Sequence, residues 1–173
     1  AEQLRPSLAV MEAMARAGTQ VLLTYPNNDA GGAAIARELE RFMRKRPANI
    51  QLHKNLGRYA YHGVLNFIGR VSGGACIGNS SSGIKETPAF ACPTINIGSR
   101  QKGRLRAANV IDTGYSRAAI ERAYQRCIGD QVFLRRCRTG SNPYGKGDSG
   151  RRIAEALARV KLDGRLITKE MTI

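Results

Sequence analysis

Aromatic side chains are scarce in this chain: six tyrosines, four phenylalanines and no tryptophan. They are not interleaved with the basic residues, so the stacking platform on which proteins hold single-stranded nucleic acid is not expected. Histidine is scarcer still, with only His53 and His62. The four cysteines, Cys76, Cys92, Cys127 and Cys137, match neither a zinc spacing nor a Cys-x-x-Cys redox pair. No metal cluster and no cofactor is therefore expected. The thiols read as reduced, with Cys76 and Cys92 in apolar runs as small buried hydrophobes. No apolar run approaches the roughly 18 residues of a membrane span, and no secretory leader pattern opens the sequence. The expectation is a cytoplasmic protein without a membrane partner. An initial Met is also missing, and residues 1–10 already read as part of a helix, which suits a piece of a longer protein.

Acidic residues are few as well. Against 13 Asp and Glu stand 28 Lys and Arg, a formal net charge of +15. Such a charge marks a nucleic-acid binder, a surface facing acidic partners, or one half of a protein whose other half is acidic. The arginines are scattered rather than blocked. Their densest patch, residues 41–46, falls near the end of a predicted helix, where cations favour the macrodipole. Charge alone leaves both a solvated basic surface and a functional anion field open.

What is present is the composition of one ordinary domain. A chain of 173 residues with 42% apolar content can bury a full core. Short apolar runs alternate with helical patterns. Residues 8–17 carry helical spacing and Gly18 stops it. Val21-Leu22-Leu23-Thr24-Tyr25 reads as a buried strand ending at Pro26. A turn at 29–32 leads to a helix over 33–43. Residues 50–53 form a second strand, 59–71 a helix and 75–78 a third strand. A short helix follows Ser82, and Pro88 breaks or kinks it. Further strands fall at 93–97 and 109–112, and helices at 116–127 and 151–160, with a Gly/Ser/Asn loop over 139–150. Short strands separated by helices imply parallel crossovers, hence a doubly wound parallel α/β sheet spanning 1–173.

In such sheets ligands collect beyond the carboxyl ends of the strands. Polar loops fall there after the first strand (Tyr25-Pro26-Asn27-Asn28-Asp29-Ala30-Gly31-Gly32) and after the third (Gly78-Asn79-Ser80-Ser81-Ser82-Gly83-Ile84-Lys85-Glu86). Another follows the fourth (Gly98-Ser99-Arg100-Gln101-Lys102-Gly103-Arg104). Ser80, Ser81 and Ser82 can donate hydroxyl protons to phosphate oxygens, beside a helix start whose N–H groups are free. Glu86 can accept from both hydroxyls of a ribose. Alternatively, Ser82 caps the helix and Glu86 answers it. Arg100 offers a guanidinium fork to a diphosphate, or is a solvated loop cation. Asn27 can donate to phosphate or hydroxyl oxygens, or close an Asx turn.

These loops, together with Asn142-Pro143-Tyr144-Gly145-Lys146-Gly147, occur in the order seen in hydrolysing UDP-N-acetylglucosamine 2-epimerases, and the chain resembles the carboxy-terminal domain of that family over nearly its whole length. Asn79-Ser80-Ser81-Ser82, where non-hydrolysing relatives read Asp-Ser-Gly-Gly, favours the hydrolysing branch. The resemblance implies a two-domain GT-B-type fold with a nucleotide sugar between two Rossmann-like halves, of which the amino-terminal one is absent from this chain. It implies that Ser80, Ser81 and Ser82 hold the diphosphate, Glu86 the ribose, Arg100 the phosphate side, and Asn27 the diphosphate or sugar. It assigns Lys85 no role. The implied partners are UDP-N-acetylglucosamine, UDP, the missing domain and further copies in a homo-oligomer.

The implied reaction eliminates UDP across the first two carbons of the sugar and adds water to give N-acetylmannosamine, for sialic-acid-type or capsular sugars. Its acid–base groups come mostly from the other domain and from a histidine ahead of Ala1, matched by neither His53 nor His62. No catalytic residue is assigned here, and the chain alone is expected to be inactive. The competing readings are a glycosyltransferase of the same architecture, a non-hydrolysing epimerase and, on charge only, a nucleic-acid module.

Overall fold

The first helix shows how the sequence builds its elements. In a computed structural model, which describes residues 3–27, 29–45, 47–71 and 73–164, α1 spans Arg5–Arg16 with Pro6 in its first turn, where the missing N–H costs nothing. Gly18, at φ +94°, ends it. The Gly18 N–H donates to the Ala15 carbonyl and the Thr19 N–H to the Met14 carbonyl, the paired bonds of a Schellman stop. Ala1, Glu2, Asn28 in the first loop and Arg46 in the basic patch lie outside the described residues.

The remaining elements follow in α/β alternation: β1 (Val21–Thr24), α2 (Gly32–Met43), β2 (Ile50–His53), α3 (Gly57–Arg70), β3 (Cys76–Gly78), α4 (Ser82–Lys85), a 3-10 turn (Thr87–Phe90), β4 (Thr94–Ile97), β5 (Val110–Thr113), α5 (Arg117–Gly129), α6 (Gln131–Thr139) and α7 (Ser149–Arg159). All described strand pairs are parallel. They form two groups, β1 with β2 and β3-β4-β5, where the sequence pattern implies a single doubly wound sheet. Within the second group β4 is central and buried at every position, as a strand covered on both faces must be. β1 differs from the expected fully buried strand. Val21 and Leu23 face inward while Leu22 and Thr24 are exposed, the alternation of a strand covered on one side.

Each group has its own core, and α1 serves both. Leu8 and Ala15 pack with Val21, Leu23, Leu39 and Phe42, whereas Val10 packs with Ile95, Ile120 and Tyr124 of the second core. A buried polar network locks the turn after β3 onto the β4–β5 pair. The Asn109 amide donates to Thr87 Oγ1 at 2.9 Å and to the Cys92 carbonyl at 2.7 Å. The Thr87 hydroxyl in turn donates to the Gly83 carbonyl at 2.7 Å.

The sequence reading leaves α6 out. Asp130 caps this helix by accepting from the Phe133 N–H at 3.0 Å, and Phe133, Leu134 and Cys137 form its buried face. The four cysteines are free thiols. Cys92 is buried as expected, whereas Cys76 is half-buried as a residue. Burial pushes the Cys76 thiol up to about 11. Among the described residues no helix is long and apolar enough to cross a membrane.

Candidate functional site

The loops after β1, β3 and β4 meet, and Arg100 joins them. Its Nη2 bonds the Asp29 carboxylate in the β1 loop, and its Nη1 donates to the Asn79 carbonyl in the β3 loop at 3.0 Å. Gln101, itself buried, donates to the same carbonyl at 2.8 Å. The β1 loop can turn this tightly because Gly31 adopts φ +86°. A Cβ on Gly32 would stand 2.5 Å from the Asn27 carbonyl oxygen, so only glycine fits there. Asn27 itself is exposed beside this turn.

The serine turn is built differently from a capped helix. Ser81 precedes α4 without a side-chain capping bond, and Ser82 is the first residue of α4 rather than its cap. The Ser82 hydroxyl is engaged by the Tyr61 hydroxyl of α3. Ser80 Oγ accepts from the Ser82 N–H at 3.3 Å, which leaves its proton available to an anion. Glu86 caps nothing at the amino end; it stands just past Lys85, at the carboxyl end of α4. The capping alternative for Ser82 and Glu86 is therefore not the one the chain adopts. α4 is only 4 residues long, because Pro88 cannot continue the helical ladder and the backbone passes into the 3-10 turn instead.

Glu86 has a partner that sequence reasoning missed. His62 Nε2 lies 2.8 Å from Glu86 Oε2, with the two side chains 29% and 42% exposed. Nothing in the spacing signals this pair, which spans 24 residues and two elements. Tyr61, one residue earlier, is similarly hidden from the sequence. Burial first, then the nearby Cys76 and Glu86, push its hydroxyl well above the ordinary tyrosine range, so it stays protonated.

The fourth motif packs onto the others. Asn142 donates to the Lys85 carbonyl at 3.5 Å, and the Tyr144 hydroxyl to the Leu105 carbonyl at 3.1 Å. Lys85 places its ammonium 5.8 Å from the centre of the Tyr144 ring. The basic patch, in contrast, lies elsewhere. Residues 41–45 sit at the carboxyl end of α2, while Asp29 and Gly31 precede its amino end. Along a 12-residue helix the two are about 18 Å apart. Arg41 pairs with Glu38 of the same helix. The described cations of this patch, Arg41, Arg44 and Lys45, are thus exposed surface rather than site. Among the described residues no three His, Cys, Asp or Glu side chains converge on a possible metal position.

Known proteins are similar to this chain over part or most of its length. The GDP/UDP-N,N'-diacetylbacillosamine 2-epimerase (hydrolyzing) of Campylobacter jejuni is 42% identical over 93 residues, 54% of this chain and 23% of that protein. The polysialic acid biosynthesis protein P7 of Escherichia coli is 49% identical over 70 residues, 40% of this chain and 18% of that protein. A UDP-N,N'-diacetylbacillosamine 2-epimerase (hydrolyzing) of Legionella pneumophila is 27% identical over 161 residues, 93% of this chain and 40% of that protein. The chain thus spans less than half the length of each of these relatives. Residues 1–158, which include all four motifs, match the family described as UDP-N-acetylglucosamine 2-epimerase, and the chain belongs to that family.

Proposed function

We propose that this chain, over 1–173, is the UDP-binding carboxy-terminal domain of a hydrolysing 2-epimerase of GT-B-type architecture. The whole protein converts UDP-N-acetylglucosamine and water into N-acetylmannosamine and UDP, within a homo-oligomer. The observation that carries the reading is the junction at Arg100. One guanidinium gathers the loops after β1, β3 and β4 around the serine turn, where a diphosphate meets cationic, hydroxyl and N–H donors together. Expelling UDP develops charge on a phosphate oxygen, and preorganised donors of this kind stabilise it as the bond to the sugar breaks. Ser80, Ser81 and Ser82 supply the turn, Arg100 the charge, Glu86 the ribose acceptor, and Asn27 a donor at the rim. The hydrolysing outcome is supported by the names of two relatives, and a role in sialic-acid-type or capsular sugars by the name of a third.

A second substrate reading has its own support. Two of those relatives are named for N,N'-diacetylbacillosamine, whose second acetamido group differs from N-acetylglucosamine outside the UDP moiety.

Calorimetry tests the binding reading directly on this chain. UDP should bind more tightly than uridine, and equal affinity for the two removes the phosphate role from the serine turn. With the whole protein, product analysis on the two nucleotide sugars should show free 2-epimerised sugar plus UDP. Transfer of the sugar to an acceptor, with its configuration at the second carbon unchanged, would establish the glycosyltransferase reading instead.

A further inference from the structure

We propose that His62 is a positioning residue for ribose recognition. From α3 it holds one oxygen of the Glu86 carboxylate, leaving the other to accept from a vicinal diol. The inference rests on the ribose role of Glu86 given above and adds a residue that role does not include.

The geometry argues against an incidental ion pair. Glu86 follows α4 and occupies the N-cap position of the 3-10 turn, yet its side chain makes no capping bond there. A glutamate side chain there would otherwise be free among rotamers, and ordering it on binding would cost affinity. His62 Nε2, 2.8 Å from Oε2, removes that freedom in advance. A carboxylate has about four acceptor positions, and one bond to an imidazole leaves the second oxygen whole.

The imidazole is itself held. Its ring centre lies 5.0 Å from that of Phe90 in the 3-10 turn. Elsewhere on α3, Tyr61 engages Ser82, and Gly69 approaches the Phe90 carbonyl so closely that a Cβ there would overlap it. α3 therefore grips the segment 82–90 at both ends. His62 is the one contact in this grip that reaches a candidate binding group through a directional N–H.

The test compares UDP with 2′,3′-dideoxy-UDP, which keeps the diphosphate and lacks the diol. His62→Phe preserves a ring against Phe90 but removes the donor. His62→Gln returns an N–H at nearly the reach of Nε2, and His62→Asn places it one bond short. In His62→Phe, UDP affinity should fall about three- to tenfold, with dideoxy-UDP unchanged. His62→Gln should recover most of the loss and His62→Asn should not, a contrast that stands even if the phenylalanine variant does not fold. Equal weakening of both ligands, or no change in their ratio in any variant, overturns the positioning role. If the unaltered chain binds UDP and dideoxy-UDP equally, the ribose reading of Glu86 falls, and this inference with it. If it binds neither, the nucleotide reading falls first.

Discussion

Arg100 bonds the carboxylate of Asp29, 71 positions earlier in the chain, while its second nitrogen holds the carbonyl of Asn79. The pair is open to solvent, with side-chain exposures of 45% and 60%. An ion pair so exposed contributes little to stability and separates easily. Its value lies in where it keeps the guanidinium when no anion is bound: at the meeting point of the loops, already oriented. Under the proposed function, a diphosphate arriving there would exchange one carboxylate partner for two phosphate groups.

Removing Arg100 should therefore separate binding from stability. Arg100→Ala is expected to lower UDP affinity about ten- to a hundredfold, the loss of a charge-assisted contact. The thermal midpoint should stay within a few degrees, because an exposed pair is worth at most about 1 kcal/mol. Calorimetry and a melting curve on the same sample check both halves. A large drop in midpoint with little change in affinity would make Arg100 a structural tie.

The buried chain from Asn109 through Thr87 to Gly83 should behave in the opposite way. Thr87 and Asn109 are 0% and 1% exposed. Thr87→Val keeps the shape, deletes the donor to Gly83 and leaves the Asn109 amide short of one acceptor. A loss of about 1–3 kcal/mol is expected on denaturant unfolding. Affinity for UDP should be reduced less than by Arg100→Ala, since the variant loosens the turn without removing a donor to the ligand.

Two pH limits follow from buried and paired groups. Burial raises the thiols of Cys76 and Cys137 to about 11 and that of Cys127 to about 12, and that of Cys92 rises further. Above about pH 9 the unfolded chain loses thiol protons that the folded chain keeps, so stability should fall as pH rises through that range. Asp112 acts at the other end. Burial pushes its carboxyl up, but bonds from Arg106 and Asn96 outweigh this and hold it below the ordinary range. Its contribution is present above the unfolded pKa, near 3.8, and is lost as pH falls towards the folded value. Denaturant midpoints measured from pH 3 to 10 should decline at both ends. Replacing Cys127 with Ala should flatten the alkaline limb, and an unchanged limb would mean that the thiols do not set it.

Much of this architecture is legible in the sequence because it is local. β2 spans the expected residues 50–53, and the Pro88 break and the Gly18 stop come from backbone chemistry that a single residue dictates. The strand-end loops were visible for the same reason, as polar residues just past apolar runs. What was hidden is pairing. Periodicity says that Val21 to Thr24 is a strand but not that it joins only β2 among the described strands. Likewise, His62 and Glu86 carry no mark of each other until α3 is folded against the turn. α6 was a different case. Asp130 followed by Phe133, Leu134 and Cys137 is a readable cap and apolar face, obscured by Arg135, Arg136 and Arg138 between and beside them.

The division of labour gives the last prediction. This chain should bind UDP yet release none from UDP-N-acetylglucosamine at an enzymatic rate. Elimination requires a base that removes the proton from the second carbon of the sugar as UDP departs. Of the candidate groups on this chain, Glu86 is held by His62 and His53 by Gln51 at 3.2 Å. Asp29, which a diphosphate would displace from Arg100, is solvent-exposed and lacks the burial with which sites tune a general base. The donors that remain stabilise a leaving group, each worth about 2.7–4 kcal/mol in comparable sites, against the roughly 8–23 kcal/mol by which enzymes lower barriers. Joined to an upstream domain in one chain, the same donors should support turnover. Arg100→Ala should then lower kcat more than it raises KM, because its charge matters most as the bond breaks. A deuterium-exchange assay in heavy water reads the proton step without waiting for product. Label appearing at the second carbon with this chain alone would place the base within it, and would send the search to Asp29, His53 and His62.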